Sequence, residues 1–500
     1  MRKVLVANRG EIAVRIIRAC RELGLEAAAV YSDADRGALH VRLADDALPI
    51  GSTDPRDSYL NAGRLIDAAQ TCGADAVHPG YGFLAESPAF ASAVTEAGLT
   101  FVGPPADVIA KLGNKMEARR LMARAGVPVI PGYDSPGATD ESLEAAGLRL
   151  GVPLMIKAAA GGGGRGMRLV NHQEELRPSL AGARREALAA FGSSDLFLER
   201  HLPEVRHIEI QVLADRPGAI VTLGERECSV QRRHQKLIEE APSPFATPHL
   251  RASLSRAATI AAQAVGYVNA GSVEFLVDPS GAFYFLEVNT RLQVEHPVTE
   301  WTTGVDLVKS QLQIAAGTPL ALDPVELRGH AIECRVYAED PARDFAPSPG
   351  PVLALEEPTG PGIRVDSGLR AGWHVPTAYD PLLAKVIAWD RTRGDAIARL
   401  SDALRRYVIL GCGTNLRFLQ DVLRHDAFRR GDTTTNFLQR HFAHWEPDIP
   451  TLALAAAAVA EVLSETPGGS PDARERGGQG RAPADPWDRL ARWRMGTAGG

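Results

Sequence analysis

Residues 274–300 read EFLVDPSGAFYFLEVNTRLQVEHPVTE, and this stretch restricts the fold more than any other. Residues 272–277 and 282–289 have the Phe, Tyr, Val and Leu content of strands. Asp278, Pro279, Ser280 and Gly281 between them are turn residues, so the segment is a β-hairpin. A turn closed on Pro279-Ser280 puts residue 274 opposite 285. Side chains alternate faces, so Glu274, Phe285, Glu287 and Asn289 share one face. Glu274 and Glu287 are then diagonal neighbours, roughly 7–8 Å apart at the backbone. Two carboxylates and an amide oxygen so placed can hold hard cations, Mg²⁺ or Mn²⁺, against a phosphate chain. Solvated acids on an exposed hairpin would read the same way. The following residues, 290–297 (TRLQVEHP), add a cation, an amide and a carboxylate beside apolar strands, where charge is costly unless it has a function.

A second restrictive element is the run AAGGGGRGM at 159–167, directly after an apolar strand at 154–158 that carries Lys157. Gly161, Gly163 and Gly166 satisfy GxGxxG, but a dinucleotide site requires a helix next. Residues 167–170 (MRLV) are short and apolar, so the unit is strand–loop–strand. A Walker A loop is excluded because the Lys precedes the glycines. Bare backbone N–H groups in such a loop can fold over phosphates, and four consecutive glycines are costly to order for a purely structural purpose.

Elsewhere the pattern is mixed. Residues 1–110 alternate strand and helix as a doubly wound parallel sheet does, with strands at 4–7, 27–31, 76–78 and 99–102 and a helix at 11–23. Gly80-Tyr81-Gly82 ends a strand, either to admit a ligand or as a tight turn, with His78 packed beside it. A helix starts at Lys115 and runs to Arg124. Residues 207–214 (HIEIQVLA) alternate as a half-buried strand. Residues 225–236 (ERECSVQRRHQK) are a dense polar run that composition alone would make a solvated loop. A helix covers 250–265.

Length and charge set outer bounds. A chain of 500 residues makes about three domains. A net charge of −6 argues against nucleic acid as the main partner. Cys20, Cys72, Cys228, Cys334 and Cys412 are scattered without CxxC, which fits a cytoplasmic protein with neither disulfides nor a zinc site. Met1 leads straight into a strand, so no signal peptide is expected, and no apolar run reaches membrane-spanning length. Only seven of the 55 basic residues are Lys, at 3, 111, 115, 157, 236, 309 and 385. In a chain that writes Arg nearly everywhere, a retained Lys points to a need for a compact point charge.

The motif EVNTRLQVEHPVTE closely resembles the signature of biotin carboxylase, a member of the ATP-grasp superfamily. The resemblance extends from about residue 3 to about residue 442 and includes ANRGEIA (7–13), HPGYGFL (78–84), the 225–236 run as a substrate loop, HAIECRVYAED (330–340) and YDPLLAKVI (379–387). It implies α/β and α+β architecture: a doubly wound pre-ATP-grasp domain (1–112), an ATP-grasp domain (113–328) with a lid at about 130–203, and an α+β biotin carboxylase C-terminal domain (329–447). Residues 448–500 are expected to be an Ala/Leu helix and a flexible linker towards a further domain.

The implied reaction is carboxylation of carrier-bound biotin by ATP and bicarbonate through carboxyphosphate, the first half-reaction of an acyl-CoA carboxylase. By residue-wise carry-over, Glu274, Glu287 and Asn289 hold two Mg²⁺ or Mn²⁺ ions. Lys115 and Lys157 contact the ATP phosphates beneath Gly161, Gly162, Gly163, Gly164, Gly166 and Met167. Glu199, Leu202, His207, Gln231, His234 and Leu276 surround the nucleoside. Lys236, Arg291, Gln293 and the Val294 backbone bind bicarbonate. Glu295 is the general base, kept ionised by a flanking Arg291, and Arg335 meets biotin. No Lys follows Lys385, so biotin is expected on a separate carrier domain or protein, with a carboxyltransferase subunit as second partner and a homodimer as assembly. Two other readings remain at this stage: another ATP-grasp ligase acting on bicarbonate or a carboxylate, and a non-catalytic nucleotide-binding scaffold.

Overall fold

Apolar strands separated by amphipathic helices pair in parallel at the N-terminus. Their order is Asp46–Gly51, Glu26–Ser32, Lys3–Val6, Ala76–His78, Thr100–Phe101. Helix Gly10–Glu22 buries Ile12, Ala13, Ile16 and Ile17 against this sheet, with the 3.6-residue spacing its sequence shows. The computed structural model describes residues 1–159, 167–321, 325–448 and 451–465. It divides into a unit Met1–Glu446 and a second unit from Pro447, whose described part includes helix Thr451–Glu465, as the Ala/Leu content predicts. The linker expected at 466–485, and the segment after it, lie outside the described residues. Among the described residues no helix is long and apolar enough to cross a membrane.

The turn at 80–82 is a packed turn. Asn8 Nδ2 donates to Pro79 O and Tyr81 O, each at 2.7 Å, and a Cβ at Gly80 would lie 2.9 Å from that nitrogen. Gly80 has φ +65°, which glycine adopts without strain. His78 is fully buried in its strand and accepts from Gly80 N at 3.0 Å.

An eight-stranded sheet dominates the rest. Its order is Phe283–Asn289, Asn269–Val277, Arg206–Ala214, Ile220–Arg232, Gln235–Ala241, His330–Tyr337, Leu382–Asp390, Ile363–Ser367. It runs without a break across position 328, because the 235–241 strand pairs antiparallel with the 330–337 strand. One face supplies core: Ile208, Ile210, Val212, Val273 and Phe275 pack with Leu254, Ala258 and Ala261 of helix Pro248–Val265. Full burial of each large apolar side chain contributes roughly 1.5–3 kcal/mol. By alternation the other face carries His207, Glu209 and Gln211 opposite Leu276, Glu274 and Ser272. A separate four-stranded antiparallel sheet, with helices Asp140–Leu150 and Leu176–Phe191, contains strands Leu154–Ala158 and Met167–Val170 paired directly with each other. The two strands expected on either side of the glycines are therefore present and paired; residues 160–166, expected as a loop, lie outside the described residues.

Two expectations need correction. The polar run at 225–236 is not a loop. It is the end of strand Ile220–Arg232 and the start of strand Gln235–Ala241, joined by a turn at Arg233 and His234, both in the left-handed region, and Glu225, Arg226, Glu227, Cys228 and Ser229 are buried. The hairpin register also differs. Val277 lies opposite Phe283 and Phe275 opposite Phe285, then the register shifts so that Glu274 lies directly opposite Glu287. Leu286 is the extra residue of a β-bulge. Phe285 consequently turns into the core, away from the face of Glu274.

Candidate functional site

Every described candidate residue lines one cleft of about 400 Å³. Gly161, Gly162, Gly163, Gly164 and Gly166 lie outside the described residues, between the two paired strands that bear Lys157 and Met167. The cleft is walled by the four-stranded sheet and the polar face of the large sheet. Apolar surface comes from Ile130, Met155, Leu202, Leu276 and Leu286, and charge from the residues below.

Lys236 is the centre of the charged floor. Its Nζ lies 2.9 Å from Glu209 Oε2, 2.6 Å from Glu274 Oε1 and 2.6 Å from Glu295 Oε1. Glu209 also accepts from Arg226 Nε. Glu274 further accepts from Asn289 Nδ2 at 2.8 Å and Gln293 Nε2 at 3.1 Å, and His207 Nε2 lies 2.8 Å from its other oxygen. Burial alone would raise these carboxyls, but the facing cations reverse it. Glu274 is held well below the usual range by Lys236 and His207, Glu209 at about 2 by Arg226 and Lys236, and Glu295 is lowered by Lys236, Arg335 and Arg226. Removing one partner from such a buried cluster would strand an uncompensated charge. Cys228 lies 4.0 Å from Glu295, and burial pushes its thiol well up, so it is present as a neutral thiol.

Glu295 caps helix His296–Thr303 and also accepts from Arg335 Nη2 at 2.9 Å. Arg335 is backed by Glu239, which burial pushes up to about 7. Arg291 instead pairs with Glu86 at 3.0 Å and bonds Asn289 Oδ1 and Gln293 Oε1. The guanidinium flanking Glu295 is thus that of Arg335, which correct strand pairing brings in from residue 335. Towards the other wall, Lys115 pairs with Glu287 at 3.0 Å and Lys157 with Glu199 at 2.5 Å.

A divalent cation fits the donor set present here. Glu274 and Glu287 lie directly opposite each other across the hairpin, two carboxylates that suit a hard ion, while Asn289 presents Nδ2 to Glu274 and Oδ1 to Arg291. Lys115 and Lys236, already beside these carboxylates, show that the site favours positive charge. The group Glu209, Cys228 and Glu295 also has metal-like spacing, but its third member is a buried neutral thiol, which a hard divalent ion does not favour.

Sequence reasoning missed Glu209 and Glu86, and gave Arg226 and Glu239 no role of their own within or beside the expected substrate loop. Glu209 was discoverable: it stands at the polar phase of HIEIQVLA, on the face that Glu274 shares. The others are brought in by long-range pairing that no local pattern announces.

Comparison with known proteins gives matches over almost the whole of residues 1–440. Residues 1–109 match the biotin carboxylase N-terminal domain, 114–323 the ATP-binding domain of the carbamoyl-phosphate synthase L chain, and 333–440 the biotin carboxylase C-terminal domain. The chain is 49% identical over 446 residues to biotin carboxylase 1 of Bacillus subtilis, covering 88% of this chain and 99% of that one. It is 48% identical over 443 residues to the mitochondrial methylcrotonoyl-CoA carboxylase subunit alpha of Oryza sativa, covering 88% of this chain but 60% of that longer one. The biotin carboxylase domain of Hydrogenobacter thermophilus 2-oxoglutarate carboxylase, solved as a dimer with MgADP, ADP and bicarbonate, superposes with a TM-score of 0.87. Identity there is 45%, over 90% of this chain and 99% of that one.

Proposed function

The chain belongs to the biotin carboxylase family, and from that premise we propose that it carboxylates carrier-held biotin with ATP and bicarbonate, via carboxyphosphate. The observation that carries this reading is the Lys236 floor. One ammonium joins Glu295 to Glu274 within a single cleft, so an anion-activating carboxylate and a cation-binding carboxylate share a wall.

In this reading Lys115 and Lys157 take the ATP phosphates, with the glycines at 161–164 and 166 above them. Glu199, Leu202, His207, Gln231, His234 and Leu276 hold the nucleoside. Glu274, Glu287 and Asn289 hold Mg²⁺ or Mn²⁺, which when bound neutralises charge on the transferring phosphoryl group. Lys236, Arg291, Gln293 and the Val294 backbone hold bicarbonate in line with the terminal phosphate. Glu295, ionised at neutral pH, takes the bicarbonate proton as its oxygen attacks phosphorus and ADP leaves. The same proton is then passed on, with phosphate as its acceptor. Carboxyphosphate breaks into CO₂ and phosphate, the phosphate also takes the ureido N–H proton of biotin, the freed ureido nitrogen bonds to CO₂, and Arg335 stabilises the negative charge that the ureido group carries between those events.

The domain limits 1–112, 113–328 and 329–447 belong to the same proposal, as do its partners: a biotin carrier, a carboxyltransferase and a second copy of the chain. The test is transfer of ¹⁴C from bicarbonate to biotin. Label in biotin that requires ATP supports the reading. ATP consumption with no label in biotin favours a different acyl-phosphate ligase.

A further inference from the structure

Lys385 is one of the seven lysines, and no step above uses it. It lies on the 382–390 strand, directly opposite Arg335 on one side and Asp366 on the other. Its side chain is 0% exposed. Nζ donates to the carbonyl of Val294 at 2.8 Å, and lies 3.3 Å from Glu11 Oε1 and 3.8 Å from Asp366 Oδ2. Asp366 is itself held by Arg364.

The bond to Val294 has a geometric consequence. A trans peptide points its C=O and N–H in opposite directions. With the Val294 carbonyl drawn to Lys385, the N–H of Glu295 points away from it. The preceding peptide is fixed similarly. His296, also fully buried, has Nδ1 2.8 Å from Gln293 O, which turns the Val294 N–H the opposite way. Among the described residues no acceptor takes the N–H of Val294 or of Glu295. Successive free N–H groups at the start of helix His296–Thr303 make an anion-binding concavity.

We infer that Lys385 is a positioning residue, which locks the Val294–Glu295 peptide so that its N–H and the Glu295 carboxylate present to the anion held at Val294. This rests on the proposed function, in which that anion is bicarbonate. A lysine suits the task because its ammonium is a compact point donor on a flexible stem that reaches one carbonyl deep in the sheet.

The test compares wild type, Glu11→Gln and the double variant Glu11→Gln/Lys385→Met. Removing both members of the ion pair avoids stranding Glu11, and Asp366 keeps Arg364. Steady-state ADP release gives separate KM values for bicarbonate and ATP. In the double variant the bicarbonate KM rises at least about 10-fold while the ATP KM stays within about 2-fold; Glu11→Gln alone moves neither by more than about 2-fold. Equal rises in both constants, or an unchanged bicarbonate KM, overturn the assignment. Hydrogen exchange of amides 293–296 supplies a readout that needs no substrate. Faster exchange in the double variant supports the lock, and unchanged exchange overturns it. If wild-type turnover ignores bicarbonate, the proposed function fails, and exchange still decides on Lys385. If the double variant does not fold, Lys385→Arg takes its place, with the same split of KM values and the same exchange expected.

Discussion

Arg335 Nη2 lies 2.9 Å from Glu295 Oε2, joining a strand residue to the cap of a helix forty positions earlier. The contact places the cation expected to meet biotin against the carboxylate expected to accept the bicarbonate proton. Loss of Arg335 should therefore fall on carboxylation and spare the nucleotide. Arg335→Ala is predicted to cut biotin carboxylation by roughly 10²–10³-fold and to change the ATP dissociation constant by less than about 3-fold. Titration of ATP and a carboxylation assay on one preparation check this. Equal losses would make Arg335 structural.

Glu295 is held below its ordinary range: burial would raise it, but Lys236, Arg335 and Arg226 outweigh that. It is therefore already ionised at neutral pH. Glu295→Gln should abolish bicarbonate-dependent ATP turnover, by about 10²-fold or more, at every pH from 6 to 8. A variant that retained wild-type turnover would remove Glu295 as base.

Glu274 answers to both His207 and Lys236. Glu274→Gln keeps the shape and loses the charge. The Mg²⁺ concentration for half-maximal activity is predicted to rise about 10–100-fold, alongside a fall in melting temperature measured without metal, because Lys236 and His207 lose a buried partner. Unchanged Mg²⁺ dependence would place the ion elsewhere.

Acid stability has a defined contributor in Glu240. Burial would raise this carboxyl, but hydrogen bonds from His330 and Arg393 hold it at about 2, against a usual 4.5. A lowered folded value stabilises the protein above pH 4.5, and that stabilisation is lost as pH falls towards 2. It amounts to about 3 kcal/mol. Urea unfolding of wild type and Glu240→Gln at pH 6 and pH 3 tests this. The variant should lose less stability across that interval. Equal losses would show that the pair has no net linkage.

The bulge at Leu286 separates two neighbours. Phe285→Ala should destabilise by about 3–5 kcal/mol, because its ring is buried with Phe275. Leu286→Ala should cost far less stability and weaken nucleotide binding, because Leu286 lines the cleft. Thermal melts with and without ATP distinguish the two.

Local chemistry made much of this legible. The turn residues 278–281 gave the hairpin, the apolar run after the glycines gave the strand that pairs with 154–158, and Lys115 opened its helix where expected. The bulge was not legible, because nothing in FYFLEVN marks which residue is unpaired. The 225–236 strands were hidden for a different reason. Arg226 and Glu227 look solvated until Glu209 arrives from the neighbouring strand and Ser243 from a loop to join Ser229 of their own strand in satisfying them. Charged side chains are read as surface unless their partners are known, and those partners are set by sheet order, not by neighbours in sequence.

The most direct test of the account is ADP release by the purified chain with MgATP and bicarbonate, with and without free biotin. Strong stimulation by biotin, absent when bicarbonate is omitted, is the predicted result. Turnover that requires bicarbonate yet is indifferent to biotin would contradict it, and would give the Glu295–Lys236–Glu274 floor to another acyl-phosphate chemistry.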